Sequence, residues 1–130
     1  MTAPFWCLFA GCLIPYVLAG VGGYFKSQEL GTLDNAHPRG QATLLQDGPA
    51  ARAGAAQANA WEALAVFGAA VIANHLFDGD PGTASTLAVT WLVARVAHAA
   101  AYLANVPPLR SGVFLVSLVC SLWLFLSPAF

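Results

Sequence analysis

Apolar residues in this chain fall into long blocks instead of narrow stripes. Met1 to Phe25 carries no charged side chain, Ala53 to Phe77 only Glu62, Pro81 to Leu109 only Arg95, and Ser111 to Phe130 again none. A helix crossing the hydrocarbon core of a bilayer needs about 20 mostly apolar residues, and every block supplies them. The pattern predicts an all-α membrane protein, a four-transmembrane-helix bundle with spans over about 3–25, 52–77, 83–106 and 109–128 and a long polar loop at 26–51. Pro49 is placed to open the second helix. The acidic turn Asp78-Gly-Asp-Pro-Gly82 and the pair Pro107-Pro108 separate the later ones. Pro15 is expected to kink the first helix, which neighbouring helices tolerate in a membrane. That first block lacks the basic start of a secretion signal, and its apolar run exceeds the roughly 7–15 residues of a signal core.

Composition agrees. Only 8% of the 130 residues are charged, against about 25% in a soluble domain, so one membrane domain is expected. A net charge of −1 with no basic patch excludes nucleic acid as a partner and leaves membrane lipid. Lys26, Arg39 and Arg52 flank the first loop and Arg110 the third, while the second loop and both termini carry no Lys or Arg. The positive-inside rule then makes loops one and three cytoplasmic and puts both termini outside.

Several chemistries drop out. Cys7, Cys12 and Cys120 lie in apolar blocks without metal-ligand spacing and read as small buried hydrophobes. His37, His75 and His98 belong to the loop, the outer end of a helix and a span. They cannot converge on one ion, so no metal is expected. The chain contains neither a phosphate-cradling glycine motif nor a Gly-x-Ser-x-Gly elbow.

What stands out is Glu62 and Arg95, single charges in mid-span. Each costs on the order of 2.5–3.5 kcal/mol to insert there. On the second helix Arg52, Asn59 and Glu62 follow i, i+7, i+10 and form one polar stripe at about 100° per residue. Gln57 lies roughly 160° off that stripe, toward another subunit or a neighbouring helix. On the third helix Arg95, His98 and Tyr102 follow i, i+3, i+7 on one face. Counted from the cytoplasmic end, Glu62 and Arg95 both lie about 15–18 Å deep. With Arg52 and Arg110 at the rim, the two stripes can line a polar cleft opening to the cytoplasm. The spacing leaves two uses for the pair: a buried ion pair that fixes helix packing, or a grip on a polar ligand.

The stretch Asp34-Asn-Ala-His-Pro-Arg39, then Arg52, then Ala56-Gln-Ala-Asn-Ala-Trp-Glu62 resembles the bacterial branch of the MAPEG family, membrane-associated proteins in eicosanoid and glutathione metabolism. Arg95-Val-Ala-His-Ala-Ala-Ala-Tyr102 followed by Arg110 is similar to the same family's third-helix signature. The resemblance implies a homotrimer in the bacterial inner membrane, with glutathione as co-substrate bound between subunits near the cytoplasmic face. It implies a glutathione-dependent transferase or peroxidase acting on lipophilic electrophiles or hydroperoxides. Gln57, Asn59 and Glu62 would hold glutathione's polar groups, with Arg95 and Tyr102 contacting it from the third helix. His98 stands where leukotriene-forming members have a tyrosine. Arg110 would be the catalytic arginine that stabilises the thiolate. Two positions depart from the eukaryotic pattern: Ala55 replaces an arginine and Ala63 a tyrosine.

The charges suit such a ligand. Glutathione has two carboxylates and one amine, which Arg52, Arg95 and Glu62 can complement, and a nearby arginine lowers a thiol's pKa. Two other functions remain: a non-catalytic membrane protein that holds a lipid or other small molecule, and a small transporter or channel subunit. Intramembrane charges mark ion pathways, but the chain shows no repeated half.

Overall fold

The computed structural model describes residues 1–34 and 36–130; Asn35 of the loop motif lies outside the described residues. Five α-helices and a closing 3-10 turn are described: α1 (Ala3–Leu30), α2 (Pro38–Thr43), α3 (Pro49–Leu76), α4 (Pro81–Leu103), α5 (Pro107–Leu126) and the turn Ser127–Ala129. Helices α1, α3, α4 and α5 are each long and apolar enough to cross a membrane.

Every helix has a proline in its first turn, where the missing N–H is no loss and φ is preset. Asp80 adds a side-chain cap to α4 by accepting from the Thr83 amide at 2.7 Å. That bond holds its carboxyl below the usual range. At their other ends, α3 and α4 stop in the same way. The Gly79 amide donates back to the Asn74 carbonyl and the Val106 amide to the Ala101 carbonyl, both at 2.9 Å. Asp78 and Asn105 take the left-handed conformation that this closure needs, at φ 52° and 56°.

α1 runs beyond the apolar block through residues 26–30. Glu29 at its end accepts from the Ala50 amide at 3.0 Å, tying α1 to the opening turn of α3. Between them, described loop residues are tied together by side chains of the loop. Asp34 Oδ1 accepts from the amides of Ala36 and His37 at 2.8 and 3.1 Å. Buried Gln41 on α2 donates to the Thr32 carbonyl at 2.9 Å and accepts from the Asp34 amide at 3.1 Å.

The four long helices form a ring in the order α1, α3, α5, α4, with α3 and α4 also touching across its short diagonal. Alanine makes the centre: Ala53, Ala56, Ala60, Ala70, Ala84, Ala88, Ala94 and Ala101 are all buried. Bulky side chains such as Trp6, Phe9, Val93, Val119 and Trp123 are exposed. This is how helices pack in lipid, where small residues let backbones approach and large apolar ones meet acyl chains.

Among the described residues, the one large buried aromatic pair is Trp91 stacked on Phe67, 3.8 Å between centroids. Gly11 on α1 makes room for it. A Cβ there would sit 2.9 and 3.0 Å from the Trp91 ring, and the stacked indole cannot swing aside. Gly11→Ala is therefore expected to destabilise the fold by about 1–3 kcal/mol, read as a lower thermal midpoint in detergent.

Candidate functional site

Arg95 is 2% exposed and lies on the α3–α4 diagonal. Its Nη2 donates to Asn59 Oδ1 at 2.8 Å and to the Asn59 carbonyl at 3.3 Å. Its partner is thus an amide, one turn nearer the long loop than Glu62. Position on the helix explains the difference. Asn59 faces α4, whereas Glu62 is about 60° further round α3 and stays exposed. Among the described residues, no salt bridge joins Glu62 and Arg95. The Arg95 Nη1 is buried with no hydrogen-bond partner among the described residues.

Toward the loop end, α4 and α5, with Asn59 of α3, border a cleft of about 320 Å³. Asn59, His98, Tyr102 and Arg110 line it, with Ser111 and Phe114 on α5. The Arg110 guanidinium lies over the Tyr102 ring, 4.5 Å from its centroid, and the quadrupole of the ring steadies the cation. His98 packs edge-on to Tyr102 at 5.3 Å between centroids. It is 2% exposed, and its Nδ1 has no hydrogen-bond partner among the described residues. A buried polar atom without a partner costs free energy.

Four of the sequence-derived residues therefore meet: Asn59, His98, Tyr102 and Arg110. Four do not join them directly. Arg95 stands behind Asn59 and orients it. Glu62 lines a smaller crevice between α3 and α5. Arg52 donates from Nε to the Leu103 carbonyl at 3.3 Å and so caps the end of α4. Gln57 lines a different cleft of about 520 Å³, between α1, α2 and α3, together with Lys26, Arg39 and Ala55. It is separated from Asn59 by the turn of α3 itself.

The sequence reading passed over Ser111, Phe114, Ser117 and Ser121 on α5. Ser117 and Ser121 are 2% exposed and face inward one turn apart. The signal that could have found them is polarity at i, i+4 in an otherwise apolar helix.

The model of the MAPEG family matches residues 3–130, essentially the whole chain. No curated protein and no solved structure matches it.

Proposed function

The chain belongs to the MAPEG family, and on that footing we propose that it is a glutathione-dependent transferase or peroxidase acting on lipophilic electrophiles or hydroperoxides. The observation that carries this reading is the cleft in which Arg110 lies over Tyr102, beside Asn59 and the unpartnered His98. A thiol attacks as its thiolate, and a fixed guanidinium stabilises that form. In the transferase reaction the S–H proton leaves to solvent. The sulfur then bonds to the electrophilic carbon as the leaving group departs with its electron pair. Asn59, His98 and Tyr102 hold the peptide part of the ligand, and Arg95 keeps the Asn59 amide in place.

The assembly we propose is a homotrimer with the thiol between subunits. Glu62 is a charged side chain exposed in mid-span, which lipid cannot solvate and a neighbouring copy can cover. The Gln57 cleft, with Lys26 and Arg39, lies on the α1 side of α3, and the Arg110 cleft on the α5 side. Repeating one such head-to-tail contact around a threefold axis closes a ring and sets one cleft against the other. Arg52 would then be a rim cation next to the composite site. The positive-inside pattern of Lys26, Arg39, Arg52 and Arg110 supports a cytoplasmic opening in a bacterial inner membrane.

Purified protein titrated with glutathione is expected to develop the ultraviolet absorbance of a bound thiolate. If none forms, and calorimetry detects no binding, the catalytic reading is abandoned. One observation favours a second reading, a non-catalytic lipid-binding protein of the same fold. A groove of about 390 Å³ between α1 and α4 is lined only by apolar side chains, including Leu13, Ile14, Val17, Val96 and Leu103. Retention of lipid through purification without any thiolate signal would point there.

A further inference from the structure

At the end of the bundle opposite the long loop, a pocket of about 340 Å³ lies between the start of α1, the end of α3 and the start of α4. Asn74, His75, Asp78 and Ser85 bring polar atoms to it, and Phe5 and Val71 give it apolar walls. Asn74 is 6% exposed, and the direction of its amide is fixed. Its Nδ2 donates to the Leu124 carbonyl at 3.2 Å and to Ser127 Oγ at 2.9 Å, which uses both N–H groups. The atom left for the pocket is Oδ1, an acceptor that no donor meets among the described residues. A Cβ at Gly79 would overlap this amide, so the glycine is what lets it lie in the pocket wall.

The neighbouring polar atoms are acceptors too. Ser85 donates its hydroxyl to the Pro81 carbonyl at 2.7 Å, so toward the pocket it has only lone pairs. The Asp78 carboxylate is exposed and, among the described residues, in no salt bridge. Two helix N-termini border the pocket, but their amides are engaged. Pro4 and Pro81 have no N–H. The Phe5 and Trp6 amides both donate to the Thr2 carbonyl at 3.2 Å, the Ala84 amide to the Asp80 carbonyl at 2.9 Å, and the Thr83 amide to the Asp80 side chain. The C-terminus of α3 adds its partial negative charge, and residues 1–25 and 71–94 include no Lys or Arg. The donors that remain are the Thr2 hydroxyl and the His75 ring, which packs edge-on to Phe5 at 5.2 Å between centroids. A wall rich in acceptors selects a ligand rich in donors. We propose that this pocket binds a primary ammonium carried on a compact apolar body. Its three N–H groups match Asn74 Oδ1, the Asp78 carboxylate and Ser85 Oγ, and the body lies against Phe5 and Val71. A volume of about 340 Å³ is at the lower end for small-molecule sites and suits a single ring. The site is at the far end of the bundle from the Arg110 cleft and owes nothing to the thiol reading.

Calorimetry on the full chain in an uncharged detergent tests this with 2-phenylethylammonium chloride and its uncharged counterpart, 2-phenylethanol. The ammonium is expected to bind at least about tenfold more tightly, the scale of one charge-assisted hydrogen bond. Asp78→Asn should weaken ammonium binding by about tenfold or more. Asparagine tolerates the left-handed φ of 52° at that position, so the turn itself survives. Ser85→Leu fills the pocket from a half-buried position on α4 and should abolish binding with the thermal midpoint unchanged. Equal affinities for the ammonium and the alcohol, or undiminished ammonium binding in either folded variant, overturn the proposal. A free amine and a lipid headgroup both carry such an ammonium, and nanodiscs separate them. Phosphatidylethanolamine added to phosphatidylcholine, whose headgroup has no N–H, either displaces 2-phenylethylammonium and assigns the pocket to a headgroup, or leaves its affinity unchanged and assigns the pocket to a free amine.

Discussion

Arg110→Ala is expected to abolish the thiolate absorbance that glutathione produces in the unaltered protein, while calorimetry still registers glutathione binding. Arg110 is held at the rim of its cleft by the face of Tyr102, and among the described residues no carboxylate is paired with it. Its charge is available to an anion arriving from the cleft. Removing a preorganised group that stabilises developing charge typically costs on the order of 100- to 1,000-fold in kcat. The loss should fall on kcat, with KM for glutathione changing little, because Asn59, His98 and Tyr102 remain. Arg110→Lys should recover only part: a point charge survives, but the planar stack on the ring does not. An Arg110→Ala protein that keeps its thiolate signal would remove this residue from the mechanism.

The second large effect belongs to Asn59. Among the described residues, Asn59 is the one side chain that satisfies Arg95, which is 2% exposed, so Asn59→Ala leaves a guanidinium with unmet donors in mid-span. Hydrogen bonds to charged groups are worth about 1.5–3 kcal/mol and a stranded buried charge costs more. We therefore expect a loss of about 3 kcal/mol in thermal unfolding in detergent, together with loss of glutathione affinity. The double variant Asn59→Ala/Arg95→Met separates the two roles. Without the stranded charge, stability should return toward that of the unaltered protein, whereas affinity should stay low. A single variant that unfolds normally would mean that Arg95 finds another partner.

The four spans were legible because membrane insertion is decided by block hydropathy, which a sequence displays directly. The short helix α2 was not, since six residues carry no periodicity. Proline at its start and the buried Gln41 reveal themselves only once the loop has folded over them. The same distinction runs through the site. Helical spacing grouped Arg95, His98 and Tyr102 and set Asn59 on a facing stripe. It could not say which group on α3 the Arg95 side chain would reach. Depth counting set Arg95 level with Glu62, but a long side chain bonds where it finds an acceptor on the facing side, and that is Asn59. Arg52 was read as a rim ligand, and its Nε is bonded to the end of α4, because helix carbonyls compete for any cation within reach. Gln57 was set apart by its angle alone, and the structure gives it a cleft of its own.

The alanine centre of the bundle has one more effect. In a water-soluble domain the information that specifies a fold sits in its largest side chains. Here, apart from the Trp91–Phe67 stack, most of those side chains face outward and are interchangeable with any residue that acyl chains will wet. The instructions for assembling this molecule are written in its smallest residues. Divergent descendants of this chain can change nearly all their bulky letters and remain the same object, provided that the methyl groups between the helices stay where they are.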